Sequence, residues 1–387
     1  LTKFLNFYYS VLVSAGLLVT PAVFSQESIA ISVSVAYAIS ITDSINNANA
    51  QQLTDSLMPP KTYTIAGVGD IMLGTSFPSR KYLPPQNNPN PLIADLIPYL
   101  SDSDITFGNL EGPFTDNAPL TKQCKDTTIC YAFRMPESYA SVLSNAGFDL
   151  LSLANNHFGD FGQSGRETTM KLLDSLNIGY AGLDSKPYTI FEKDSVLYGF
   201  CAFAPNRGTI NINDYKRARE ILKILNDTCD IIIVSFHGGA EGAAYEHVTG
   251  KPEEFYGENR GNVVEFAHMV IDNGADIVFG HGPHVTRAID VYNNRFIAYS
   301  LGNFLTYRRF NLSGPNGISP LVQVEVDRSG NFLKALIVPV YQNSQGHVKI
   351  DPSKRVITRI RELVRSDFPS SQIEIDDNGI VKLKNVL

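Results

Sequence analysis

From residue 63 to residue 284 the chain passes through a series of short apolar runs, each ending in polar residues, with stretches of helical periodicity between them. The runs cover residues 63–67, 105–107, 149–153, 196–203, 231–236 and 277–279. The helical signals fall at 91–100, 136–146, 167–176, 215–225 and 263–271. A strand that is apolar throughout is covered on both faces, and its alternation with helices implies an α/β architecture. Beyond residue 284 the period changes. Residues 288–292 and 295–300 flank Asn293-Asn294, a hairpin signal, and 321–327 with 332–341 flank a second turn at 329–331. These hairpins add a second sheet or extend the first. A basic amphipathic helix at 355–364 and a short β-like tail at 373–383 follow, so 351–387 is set apart from a main domain at 61–350.

The first sixty residues read differently. No charged residue lies between Lys3 and Glu27, and 11–24 is mostly apolar, with Leu17, Leu18 and Val19 at its centre. This is the layout of a secretory signal, with a cleavage site at Val23-Phe24-Ser25 or further on, or of a membrane anchor that falls short of the ~20 residues a span needs. Residues 27–60, rich in Ser, Ala, Asn and Gln, read as a flexible linker. The expectation is an exported protein of the cell envelope, periplasmic or held at the outer face of a membrane. Hydrophobic residues make up 43% of the 387-residue chain and charged residues 18%, which excludes wholesale disorder. A net charge of −7 argues against a nucleic-acid binder with a basic surface. Four cysteines make neither a disulfide miniprotein nor a zinc ribbon. Cys124 and Cys130 flank a short polar segment and could close a small disulfide in an oxidising compartment. Cys201 and Cys229, in or beside apolar strands, read as small buried hydrophobes.

Ligands of open α/β sheets collect at the carboxyl ends of the strands. Five of the predicted strands end in metal-competent residues: Asp70, Glu111, Asn156 with His157, His237, and His281 with His284. The chain has seven histidines, and four of them fall in this set. Carboxylate, amide and imidazole donors together suit one or two borderline divalent ions such as Mn, Fe or Zn. The remaining histidines, His247, His268 and His347, read as structural. Lys216, Arg217 and Arg219 read as a solvated helix face, and Glu241 and Glu246 as groups at the rim of the site.

The ordered motifs 69–74 (Gly-Asp-Ile-Met-Leu-Gly), 109–113 (Asn-Leu-Glu-Gly-Pro), 154–157 (Ala-Asn-Asn-His), 235–239 (Ser-Phe-His-Gly-Gly), 280–285 (Gly-His-Gly-Pro-His-Val) and 299–304 (Tyr-Ser-Leu-Gly-Asn-Phe) carry a resemblance. The chain resembles the bacterial capsule-synthesis CapA family, the poly-γ-glutamate biosynthesis proteins, over roughly residues 63 to 310. That family is similar to the calcineurin-like metallophosphoesterases. The resemblance implies a four-layer α/β/β/α sandwich, here with a C-terminal β-rich extension, and a dimetal site. It implies that Asp70, Glu111, Asn156, His237, His281 and His284 are metal ligands, with Glu111 in the bridging position. His157 would protonate or orient a leaving group. Asn109, Asp160, Asn303 and Arg308 are placed as substrate-binding or supporting residues, with Arg309 beside Arg308 at the rim.

Two positions depart from the phosphoesterase pattern. Met72 stands where its first strand has a second ligand histidine, and Phe158 stands where an Asp usually follows the Asn-His pair. Asp160 is the next acid along. The implied activity is metal-dependent hydrolysis of the phosphoesterase type, in the synthesis or export of an anionic extracellular polymer and alongside a membrane complex. A plain phosphoesterase acting on a small substrate is another reading. A third is a polymer-binding or scaffolding protein with a degenerate metal site. No Gly-x-x-x-x-Gly-Lys-Ser/Thr loop occurs, so ligation driven by ATP would need a partner.

Overall fold

The computed structural model describes residues 61–123 and 130–384. The expected signal or anchor at 1–26, the linker at 27–60 and Cys124 lie outside the described residues. Cys130 is disulfide-bonded, and Cys201 and Cys229 are free. Among the described residues no helix is long and apolar enough to cross a membrane.

The chain enters through β1 (Tyr63–Met72) and continues through α1 (Asn90–Ile93), α2 (Ile97–Ser101), β2 (Ile105–Leu110), α3 (Ala140–Asn145), β3 (Leu150–Ser152), α4 (Gly162–Ser175) and β4 (Gly179–Ala181). A second sheet follows. Its parts are β5 (Tyr188–Lys193), β6 (Val196–Phe203), α5 (Tyr215–Asn226), β7 (Ile231–His237), α6 (Val263–Asp272), β10 (Ile277–His281), β11 (Ile289–Tyr292) and β12 (Arg295–Ala298). The small hairpin β8 (Glu254–Phe255) and β9 (Glu258–Asn259) interrupts it before α6. The chain then returns to the first sheet with β13 (Asn303–Thr306), β14 (Ile318–Val326), β15 (Phe332–Gln342), β16 (Val348–Ile350), α7 (Arg355–Asp367), β17 (Ile373–Ile375) and β18 (Ile380–Leu383). The first sheet runs β17-β18-β15-β14-β1-β2-β3-β4, with β13 also on β1 and β16 also on β15; the second runs β11-β12-β10-β7-β6-β5.

Side-chain alternation makes the layers. On β7, Ile231 and Ile233 face the core between the sheets, where they join Ile65, Phe107 and Phe279. Their neighbours Ile232, Val234 and Phe236 face outward onto Ile221, Leu222 and Phe266 of α5 and α6. On the opposite side, Ala66 and Val68 of β1 meet Leu92, Leu100 and Leu143 of the first helices. Period-2 strands buried on both faces therefore give helix, sheet, sheet and helix, the four-layer order that the resemblance implied. Phe107 and Phe279 stack across the two sheets with centroids 5.2 Å apart.

Local differences from the sequence reading have physical causes. The single helix expected at 91–100 splits into α1, a 3-10 turn and α2, because Pro98 has no N–H to donate and starts a new turn. Strand β5 carried no apolar run because it is an edge strand of mostly half-buried residues. Asn293 and Asn294 both take positive φ, 48° and 61°, as a two-residue hairpin turn requires. In the C-terminal segment α7 buries Val356, Ile357, Ile360, Leu363 and Val364 in the core between the sheets, and β17 and β18 extend the first sheet. At about 1.5–3 kcal/mol for each large apolar side chain, α7 is part of what holds the sandwich closed.

Candidate functional site

Register brings the polar strand ends into two rows. In the first sheet Asp70 pairs with Asn303 on β13 and with Asn109 on β2, and Asn109 pairs with Ser152 on β3. In the second sheet His281 on β10 pairs with His237 on β7. The rows meet where the chain crosses from β12 in the second sheet to β13 in the first, and the Leu301 N–H there donates to the Gly280 carbonyl of β10 at 3.0 Å. A Cβ at Gly69 would lie 1.9 Å from the Gly302 carbonyl oxygen, and the Asp70 N–H donates to that oxygen at 2.8 Å.

Asp70 and Glu111 are both fully buried. Asn109 Nδ2 donates to Asp70 Oδ1 at 2.9 Å and to Glu111 Oε2 at 2.6 Å, so one amide links the two acids. His284 Nδ1 lies 2.8 Å from Asp70 Oδ2, and His281 Nδ1 lies 3.4 Å from Oδ1. His237 Nε2 lies 3.6 Å from Glu111 Oε1. His284 reaches its acid from a backbone with φ of 57°, a left-handed conformation that costs a non-glycine residue about 1–3 kcal/mol.

Charge follows from these contacts. Burial alone would raise the Asp70 carboxyl, but His281 and His284 beside it prevail and hold it well below the carboxylate range. Burial would likewise raise Glu111, and His237 brings it below its ordinary value. Burial works against charge on His284, yet Asp70 pushes its pKa up to about 9. For His237 burial prevails over Glu111 and lowers it. The site thus holds an Asp70–His284 ion pair beside the Glu111 carboxylate. Several buried donor atoms have no hydrogen-bond partner: Glu111 Oε1, Asn156 Oδ1, Asn303 Oδ1 and both ring nitrogens of His237 and of His281. Among the described residues no three His, Cys, Asp or Glu side chains stand ready to hold a metal ion as they are.

A cavity of about 640 Å³ opens on this cluster, and Asn156, His157, His284 and Asn303 line it. His157 Nδ1 lies 2.8 Å from Asp160 Oδ2, and its ring packs on Phe133 at 4.1 Å between centroids. Asp160 also accepts the Phe133 N–H at 3.0 Å, and its other oxygen lies 3.1 Å from Lys122 Nζ. Met72 and Phe158, the two departures, are buried in the outer core of the first sheet. The Met72 sulfur accepts the Gly74 N–H at 3.2 Å.

Arg308 does not join the cavity. It is exposed, with its guanidinium 5.6 Å from the Tyr307 ring. Its neighbour Arg309 lines the wall instead, between the rings of Tyr82 and Tyr131 at 4.9 and 4.8 Å. Both arginines take positive φ, 57° and 64°, so strand alternation does not predict which one turns inward. Sequence reasoning also passed over Asn155 as a site residue. Its Nδ2 donates to Asn109 Oδ1 and to the Leu110 carbonyl, and its Oδ1 accepts the N–H groups of His157 and Phe158. Lys122 and Arg260, which line the cavity from loops, were missed altogether.

The model of the bacterial capsule synthesis protein family PGA_cap matches residues 64–308, more than half of the chain. A capsule biosynthesis protein CapA of Bacillus anthracis is 28% identical over 278 residues, 66% of this chain and 63% of that one. A PGA biosynthesis protein CapA of Bacillus subtilis (strain 168) is 26% identical over 324 residues, 79% of each chain. Among solved structures, a putative 5'-nucleotidase of Staphylococcus aureus aligns over 78% of this chain and 58% of its own at 15% identity, with a TM-score of 0.40. A purple acid phosphatase from yellow lupin aligns over 77% of this chain and 55% of its own at 12% identity, with a TM-score of 0.36. The motifs that meet at the cavity, from Asp70 to Asn303, all lie inside the matched segment, and the chain belongs to the bacterial capsule synthesis protein family PGA_cap.

Proposed function

We propose that this protein acts in the synthesis or export of an anionic extracellular polymer of the capsule or poly-γ-glutamate kind, through a metal-dependent hydrolase site of the phosphoesterase type. Membership of the capsule synthesis family supports the biological setting, as do the names of the two CapA relatives. In this reading the protein works in the cell envelope, alongside a membrane synthesis or export complex.

One observation carries the chemistry. Buried imidazoles and a buried carboxylate oxygen without hydrogen-bond partners are costly, and here they sit together around Asp70. That donor set fits one or two divalent ions such as Mn, Fe or Zn. Asp70, Glu111, Asn156, His237, His281 and His284 would hold them. When bound, such an ion supplies Lewis-acid polarisation of a phosphoryl or acyl oxygen. The chain's own residues do the rest. Asp160 holds Nδ1 of His157, so Nε2 is the nitrogen left to give a proton to a leaving oxygen. Asn109 fixes the two acids relative to each other, and Arg309 and Lys122 put positive charge on the wall where an anionic chain would lie.

A second reading, a binding or scaffolding protein, is favoured by the pairing of Asp70 with His284, which satisfies part of the site without an ion. Metal content by mass spectrometry, on the full chain and on His281→Ala, separates the two. About one or two equivalents per chain, lost in the variant and accompanied by turnover of a phosphodiester, supports the hydrolase. No metal after reconstitution with each ion overturns it.

A further inference from the structure

We propose that Arg260 is the anchor for an anionic group of the cavity's ligand, a phosphate or a carboxylate, and that the Glu241 carboxylate stands in the place this group takes. The proposal rests on the reading of the cavity as a site for an anionic substrate and adds a specificity determinant to it.

Arg260 follows the hairpin strand β9 and is only 2% exposed, yet it forms part of the cavity wall. Its backbone is tied on both sides: its N–H donates to the Glu253 carbonyl at 2.8 Å, and its carbonyl accepts the Gly239 N–H at 3.0 Å. The guanidinium is held in one pose, with Nε on the Gly239 carbonyl at 3.1 Å and Nη1 on Glu258 Oε2 at 3.1 Å. Nη2 makes no hydrogen bond, although Glu241 Oε1 lies 3.2 Å away. Gly282, with φ of 114°, leaves room beside it, since a Cβ there would come within 3.2 Å of Nη2.

Arg287 in the same region is equally buried. Its Nε also lacks a hydrogen-bond partner, but its fork takes both oxygens of Glu253 at 2.8 and 2.7 Å. Glu253 also accepts the Ala240 N–H, so both of its oxygens are engaged. Arg260 is balanced instead by Glu241 and Glu258, two half-buried side chains that themselves line the cavity. A guanidinium does not lose its charge or its donors, so the unbonded Nη2 of a buried one still calls for a well-directed acceptor. Exchanging the poorly aligned Glu241 carboxylate for a ligand's phosphate or carboxylate meets that demand with a better-directed, charge-assisted bond. The cavity then selects ligands that carry an anionic group at Arg260 in addition to whatever reaches His157 and Asp70.

The test uses the full chain as wild type, Arg260→Gln, Arg260→Lys and Glu241→Gln. Binding of inorganic phosphate and of glutarate is measured by titration calorimetry, with and without chelator, and metal content is measured on the same samples. For at least one of the two probes, binding should survive chelation, weaken about tenfold or more in Arg260→Gln and less in Arg260→Lys, and tighten several-fold in Glu241→Gln. Whichever probe behaves this way names the anion. The Glu241→Gln arm reads the proposal even where Arg260→Gln folds poorly. Unchanged binding in Arg260→Gln, weakened binding in Glu241→Gln, or no binding of either probe overturns it. Absence of metal from every sample counts against the hydrolase reading alone, because the chelated titrations stand without metal.

Discussion

Asp70 and His284 lie 214 residues apart in the chain, and Nδ1 of the histidine meets Oδ2 of the aspartate at 2.8 Å. The contact closes β1 onto the turn after β10, so the first and second sheets share an ion pair whose histidine lines the cavity. Removing one partner of a buried pair leaves the other charge uncompensated, at about 3–5 kcal/mol. Metal-free Asp70→Asn and His284→Gln should therefore each lose about 3 kcal/mol in urea unfolding, and the double variant should lose less than their sum. Losses below about 0.5 kcal/mol in both singles would mean the pair adds nothing to the fold.

Asp160 orients His157 through Nδ1 and is itself fixed by the Phe133 N–H and by Lys122. If His157 is the proton donor, Asp160→Asn should lower kcat on a phosphodiester at least about tenfold, with KM and metal content little changed. Rates within about twofold of wild type in both Asp160→Asn and His157→Ala would remove His157 from the mechanism.

The legible part of the site was the part on regular strands. Asp70, Glu111, His237 and His281 could be read because an apolar run fixes where a strand ends, and strand ends fix where ligands gather. The layers were legible for the same reason, since runs such as 231–236 are apolar on both faces. What escaped notice sits on loops. Arg260 follows a two-residue strand, too short for any periodic signal, and its burial comes from contacts with Gly239 and Glu258 that no local pattern announces. Arg309 and Arg308 have the same chemistry and adjacent positions, both take positive φ, and only Arg309 reaches the cavity. The core role of α7 was hidden because amphipathicity shows that a helix has an apolar face without showing what covers it.

Asp276 and His284 each make stability fall with pH, in different windows. Burial raises Asp276 from 3.8 to about 7 in the fold, against the Ile232 N–H and Arg295 that favour its charge. The folded state then binds the proton more tightly, so this contribution is full below pH 3.8 and is lost as pH rises towards 7. His284, raised from 6.5 to about 9 in the metal-free fold, contributes fully below 6.5 and loses its contribution as pH rises through 9. Urea unfolding of metal-free protein across both windows should show Asp276→Asn flattening the acid slope and Asp70→Asn flattening the alkaline one. A variant that leaves its own window unchanged would refute the assignment of that slope.

The loop that carries Glu241 and Gly242 to the cavity is tied to α7. Arg359 donates from Nε to Glu246 Oε2 at 3.0 Å and from Nη2 to Oε1, and Asp367 accepts the Val248 N–H at 2.9 Å and faces His247 Nδ1 at 2.7 Å. The helix itself is held by its buried apolar face, so cutting the polar ties should release the loop and leave α7 in place. Arg359→Met keeps the apolar stem and removes the fork. The Arg359–Glu246 pair is only partly buried, so global stability should fall by no more than about 1 kcal/mol. Amide exchange at 240–248 should accelerate about tenfold or more, with exchange in α7 unchanged. Equal acceleration in the loop and the helix would show that Arg359 holds the helix in the core, and no acceleration in either would show that the Arg359 fork does not hold the loop.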